Sequence, residues 1–192
     1  MPPDAIEALA ALPDVERDRD SAHRLWVAGT KIEIQAVGPV TDADFERLTD
    51  RQVLYVAAHT WALETAAPQT LIAAADSRVS ATAPFATPAA LVAMKLHAIQ
   101  DRRPSGGVDK RAGDAWDLYR LLSDLDADAS IRTALASGPT SLRAAVRQAA
   151  QTVLVDGAAR TRSWLRAGDL RMASVTVEEI RFLAEPLVAA LA

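Results

Sequence analysis

Residues 84–122 read PFATPAALVAMKLHAIQDRRPSGGVDKRAGDAWDLYRLL, and the reading of the whole chain turns on them. Apolar residues at Leu91, Val92, Met94, Leu96 and Ile99 recur at helical spacing. Thr87 is placed to cap that helix, and Pro88 suits its first position, where a missing N–H costs nothing. The pattern predicts a helix to about Asp101, a basic loop through Arg102, Arg103, Pro104 and Gly106-Gly107, and a second helix over 109–125. Leu118, Leu121, Leu122 and Leu125 give the second helix its packing face. Lys95 stands inside the apolar pattern of the first helix. Asp114 and Asp117 lie three apart on the second, with Lys110 four residues before Asp114 on the same face. Two antiparallel helices joined by the Arg102–Val108 loop bring Lys95 near Asp117. On the residues alone two readings stay open: Lys95 snorkels along the helix surface, or it projects into a polar cleft. The aspartates alone equally make an exposed stripe of weak ion pairs.

A length of 192 residues fits one domain, or one domain with a helical extension. Half the residues are apolar but only 5% are aromatic, which favours close-packed, alanine-rich helices over a thick aromatic core. The net charge of −4 excludes a generally basic nucleic-acid-coating surface and leaves room for a local basic patch. With no cysteine there is no disulfide, thiolate metal site or cysteine nucleophile. The start, MPPDAIEALAALPDV, carries acids and prolines where a signal peptide needs lysine or arginine. No apolar run approaches the roughly 20 residues of a membrane span. The expectation is a soluble, cytoplasmic protein with no membrane partner.

Upstream of residue 84 the pattern is shorter-ranged. Asp4 to Leu12 reads as an amphipathic helix ended by Pro13, and the polar run 14–21 as a loop. His23 to Val37 alternates in two pieces about Gly29-Thr30, a hairpin signature. Ile32, Ile34 and Ala36 share one face of the second piece; Lys31, Glu33 and Gln35 share the other. Glu33, a carboxylate between two isoleucines, is singled out. Gly38-Pro39 ends the strand and Thr41 caps a short helix from Asp42 to about Thr49. Residues 51–67 fit either a helix or an irregular strand. Residues 69–75 and 78–82 read as two strands about Asp76-Ser77. Downstream of Ser130 the chain reads as helices over 130–137, 141–155, 157–167 and 177–191, with a capping box at Thr176 and Glu179. The expected fold is α+β: a small mixed sheet with helices over 1–84, then an all-helical region over 85–192.

Several chemistries lack their residues. His23, His59 and His97 are not at metal-ligand spacing, and no HExxH, GxSxG, GxxxxGK[ST] or GxGxxG occurs. Those histidines read as surface or packing residues. Arginines 143, 147, 160, 162, 166 and 171 form either a solvated face or, with the 102–111 loop, the border of a nucleic-acid groove.

In order, Ile32-Glu33-Ile34, then about sixty residues later P-x-x-L-x-x-x-K-L-x-A over Pro88–Ala98, then D-x-x-D-L-Y-R-L-L over Asp114–Leu122, resembles the nucleotidyltransferase-like proteins of the AbiEii/MenT toxin type. The resemblance spans about residues 20–125. It implies a nucleotidyltransferase-like fold followed by helices, and transfer of a nucleotide from an NTP to an RNA, a tRNA acceptor end, in a toxin–antitoxin setting. It implies Mg²⁺ bridging the triphosphate, with Glu33 as metal ligand or base. Lys95 is then the phosphate contact, Asp117 the helical aspartate, and Arg102, Arg103, Lys110 and Asp114 the nucleotide's surroundings. The sequence departs from the family at its start, where a G-[GS] motif and a D-x-D strand belong. Asp18-Arg19-Asp20 and Asp42-Ala43-Asp44 have the letters without the β-apolar flanks or the order. Two forms follow: a nucleotidyltransferase shortened at its N-terminus, or a degenerate copy that keeps the scaffold and binds without catalysing. The rival class is a non-catalytic module whose basic loop and helices engage a partner protein, such as an antitoxin, or RNA.

Overall fold

The structure is a computed structural model that describes residues 4–21, 24–27, 29–34, 42–72, 78, 80–102, 110–168 and 170–192. The chain divides into two compact units, Met1–Val40 and Thr41–Ala192.

In the first unit, helix α1 (Asp4–Ala10) precedes three antiparallel strands in the order β1 (Val15–Arg17), β2 (Arg24–Val27), β3 (Thr30–Glu33). The β2–β3 hairpin forms where the alternation places it, with Leu25 opposite Ile32 and Arg24 opposite Glu33. Gly29 takes φ +76° in its turn, a conformation that a Cβ disfavours. Leu25 is the buried side chain of this sheet. The polar run expected as a loop contains β1, which pairs Val15 with Val27 and Glu16 with Trp26. A neighbouring strand overrides the weak local preference. Asp18 fixes that edge by accepting from Trp26 Nε1 at 3.1 Å and from the Asp20 amide at 2.9 Å. His23, the Gly38-Pro39 break and the Thr41 cap lie outside the described residues, as does the strand's continuation to Val37.

The second unit runs α2 (Asp42–Phe45), α3 (Asp50–Glu64), β4 (Ala67–Ile72), β5 (Ser80–Phe85), α4 (Pro88–Asp101), α5 (Lys110–Ser123), α6 (Ser130–Ala136) and α7 (Thr140–Ala150). A π-helix (Gln151–Asp156), α8 (Ala158–Gly168), a 3₁₀ turn (Leu170–Ser174) and α9 (Val177–Ala190) complete it. The ambiguous stretch is a helix, α3. Its buried residues Leu54, Ala57, Ala58, Trp61 and Ala62 recur at i, i+3, i+4, i+7 and i+8, and the Thr49 amide donates to Gln52 Oε1 at 3.0 Å at its start.

Helix α4 begins as its residues demand: Thr87 Oγ1 accepts from the Ala90 amide at 3.3 Å and Pro88 is the first residue. It packs between α3 and α5, and α7, α8 and α9 close the core. Ala90, Val92, Ala93 and Leu96 are fully buried there. Small residues on these faces let the helices approach closely. Below them, buried Asp126 accepts from the Ile131 amide at 2.9 Å and Arg132 amide at 3.2 Å, capping α6.

The sheet expectation needs correction. Among the described residues the strands form two antiparallel sheets, of three and two strands, instead of one small mixed sheet. Each pairing joins strands close in sequence, and short connections can only pair strands antiparallel. In the second sheet β4 and β5 pair from Ala67 opposite Phe85 to Ile72 opposite Ser80; the turn expected at Asp76-Ser77 lies outside the described residues. The boundary at residue 84 marks the passage from strands to helices, whereas compactness divides the chain after Val40, because α3 packs into the helical core. Among the described residues no helix is long and apolar enough to cross a membrane.

Candidate functional site

Lys95 comes from the middle of α4, Asp114 and Asp117 from the middle turns of α5, and Arg102 caps the C-terminus of α4. Lys95 Nζ donates to Asp114 Oδ1 at 3.0 Å and to Asp117 Oδ2 at 2.5 Å. Arg102 Nε donates to Asp114 Oδ2 at 2.5 Å. The lysine therefore does not snorkel. It bridges two helices.

Burial ranks the members of this cluster. The Asp114 side chain is 7% exposed, Lys95 27% and Asp117 42%. Asp114 falls in the buried stripe of α5 with Ala115, Leu118, Leu121 and Leu122, so the exposed-stripe reading fails for it. A buried carboxylate needs compensation, and each oxygen of Asp114 meets a cation. Burial pushes the Lys95 ammonium down, but the hydrogen bonds and charges of Asp117 and Asp114 outweigh it and hold the group above its ordinary range. Lys95 is charged at any physiological pH. Two cations and two carboxylates leave the cluster formally neutral.

Among the described residues, none of the other predicted residues shares these bonds. Lys110 is exposed at the start of α5 and bonds no described residue. Arg103 lies outside the described residues. Glu33 ends β3 in the first unit, 57% exposed, with Arg24 Nη2 3.7 Å from its Oε1. Asp18 is occupied with its own turn: the Asp20 amide foremost, then Trp26 and Arg24, hold its carboxyl below the usual range. Asp42–Phe45 forms α2, a helix start and not an acid-bearing strand.

At the Lys95 cluster the two carboxylates do not fit the Mg²⁺ that the resemblance implies. Both carboxylates beside Lys95 are already held by cations, so a metal there has to displace Lys95 or Arg102. Among the described residues no three acidic, histidine or cysteine side chains converge as a metal site.

Two histidines are packing residues. Tyr55, His59 and His97 form an aromatic cluster between α3 and α4, with centroids 4.4 Å (Tyr55–His59), 5.0 Å (Tyr55–His97) and 6.2 Å (His59–His97) apart. Burial lowers the pKa of His97 despite Asp101 nearby, and His59 adds to the lowering.

Arg102 also lines a cleft of about 530 Å³. It is lined from α3, α4, α5, α7, the π-helix and α8, and Lys95 is not part of its wall. Arg160 belongs to the arginine series legible downstream; Arg51 and Trp164, also in the wall, carried no signal. The reading of the downstream arginines with the 102–111 loop as a groove border covers Arg102, Arg111 and Arg160 of this wall. No protein-family model, curated protein or solved structure matches this chain.

Proposed function

We propose that this chain is a nucleotidyltransferase-like protein of the AbiEii/MenT toxin type, acting in the cytoplasm. Its Lys95 corner receives the triphosphate of an NTP for nucleotide transfer to a tRNA end, under control of an antitoxin protein. One observation carries the reading: Lys95 donates directly to both aspartates of the two-helix motif, 19 and 22 residues away in sequence. A stripe of unrelated surface charges has no reason to converge in this way.

The chain's own residues divide the work. Asp114 is a positioning residue, buried and bonded to both cations. Lys95 Nζ has three donors, of which Asp114 and Asp117 take two, so one remains for a phosphate oxygen. The Arg102 guanidinium spends its Nε on Asp114, and its Nη groups are the natural second phosphate contact. Asp117, the more exposed carboxylate, is the member that can exchange its partner when a ligand arrives.

A second reading, the non-catalytic binding module, is favoured by the neutralised carboxylates and the lack of a converging acid set among the described residues. One experiment separates the two. The protein is incubated with tRNA, Mg²⁺ and each of the four radiolabelled NTPs. Label on tRNA that Lys95→Ala abolishes, with the circular dichroism spectrum unchanged, supports transfer. Nucleotide or RNA binding with no label from any NTP supports the module.

A further inference from the structure

The cleft beside Arg102 has a composition at odds with a chain of net charge −4. Four arginines, Arg51, Arg102, Arg111 and Arg160, line it with two aspartates, Asp50 and Asp101. Two of the four are restrained: Arg102 by Asp114, and Arg111 with its guanidinium carbon 5.1 Å from the Trp164 ring centroid. Gln148 Nε2 donates to Asp50 at 3.1 Å, which engages one of the two acids. Arg51 and Arg160 are exposed, and their side chains bond no described residue. Cationic residues lining one cleft raise its potential, and a concave wall focuses their field, which favours an anion.

A second observation falls on the same wall. The π-helix brings Thr152 and Val153 to the cleft. Its exit is specified: a Cβ at Gly157 lies 2.6 Å from the Thr152 carbonyl oxygen, so only glycine fits without a shift. Buried Thr161 donates its hydroxyl to the Val153 carbonyl at 2.7 Å. Insertions of π geometry concentrate at functional sites.

We propose that this cleft is a phosphate-binding site, in which Arg51 and Arg160 take the anion's oxygens and the Arg111–Trp164 pair forms a fixed side wall. The chemistry suits a linked-phosphate anion, supplied either by a free polyphosphate or by the backbone of a single RNA strand. A volume of about 530 Å³ admits several phosphate groups. The site does not rest on the nucleotidyl-transfer reading, since Arg51, Arg160 and Trp164 lie outside the Lys95 motif, and its readout is binding, not transfer.

The test titrates the full chain with sodium tripolyphosphate and with a short single-stranded RNA, by calorimetry, without metal. The expected result is saturable binding of one or both, weakened about tenfold by Arg51→Ala and by Arg160→Ala, since each removes a charged hydrogen-bonding partner. Arg51→Lys and Arg160→Lys retain part of the affinity. Arg166→Ala, an exposed arginine of α8 outside the cleft, changes nothing. Tripolyphosphate alone binding assigns a free ligand; RNA binding that tripolyphosphate displaces assigns a strand. Binding of neither probe overturns the proposal, as does equal weakening by Arg166→Ala.

Discussion

Asp114 is the residue on which the two-helix corner depends, because it is buried and serves two cations at once. Asp114→Ala leaves Arg102 without its carboxylate partner and Lys95 with Asp117 alone, and the loss expected is about 3–5 kcal/mol in urea unfolding, the range for breaking a buried pair. Lys95→Ala is milder, since Arg102 still compensates Asp114; that asymmetry is the signature to look for. Spacing alone brought Lys95 and Asp117 together. It did not reveal which aspartate is buried, because three residues along a helix is a 60° difference in facing, enough to put Asp114 in the stripe and Asp117 at its rim. Arg102 as the partner of Asp114 was illegible, since a loop of unknown path separates them.

Two titrations follow at the same scale. Burial, and then Glu179, which accepts the Tyr119 hydroxyl, push Tyr119 up to about 12. The folded state then keeps a proton that the unfolded chain releases near 10, so this contribution is intact below pH 10 and lost as pH rises toward 12. Tyr119→Phe should flatten that alkaline loss in thermal melts. His97 runs the other way. Burial depresses its folded pKa, so its contribution is intact above the unfolded value of about 6.5 and lost as pH falls through the folded one. The groups facing it are Asp101, His59 and Tyr55. His97→Gln should reduce the dependence of the urea midpoint on pH between about 5 and 7.

Among the elements, α4 is the best specified and the π-helix the least. The start of α4 is written in Thr87 and Pro88, its face in the apolar spacing, and the structure follows both. Leu96 is fully buried at its centre, so Leu96→Ala should cost about 2–5 kcal/mol by chemical denaturation. The stretch 141–155 read as one continuous helix, yet it passes into π geometry at Gln151. No local propensity distinguishes the two. The widened turn reflects packing of Val153 and Leu154 and the bond from Thr161, which are all tertiary. Gly157→Ala forces a methyl group against the Thr152 carbonyl, and a loss of about 1–3 kcal/mol is expected, as for overpacking. The same substitution should weaken tripolyphosphate binding, because it moves the cleft wall. Strand β1 failed to show for the opposite reason: Val15–Arg17 is polar and short, and only its partner β2 makes it a strand.

Across the whole molecule, the helical half was legible because alanine and leucine periodicity persists over many turns, while strand pairing was not. Alternation identifies a strand but does not name its neighbour, so a mixed sheet was expected where two small antiparallel ones form. Net charge was similarly blind to the arginine cleft, since a total says nothing about placement. The β4–β5 hairpin carries the last consequence. Its twelve positions, APQTLI and SATAPF, contain no charged residue, nearly all are exposed, and among the described residues no third strand joins it. A lone pair of strands is marginal in water, so opening it requires little more than separating its own bonds. In deuterium exchange, the non-proline amides of 67–72 and 80–85 should label about a hundredfold faster than those at the centre of α4, which open only when the core does. A single melting temperature would report the helices and leave this hairpin unseen.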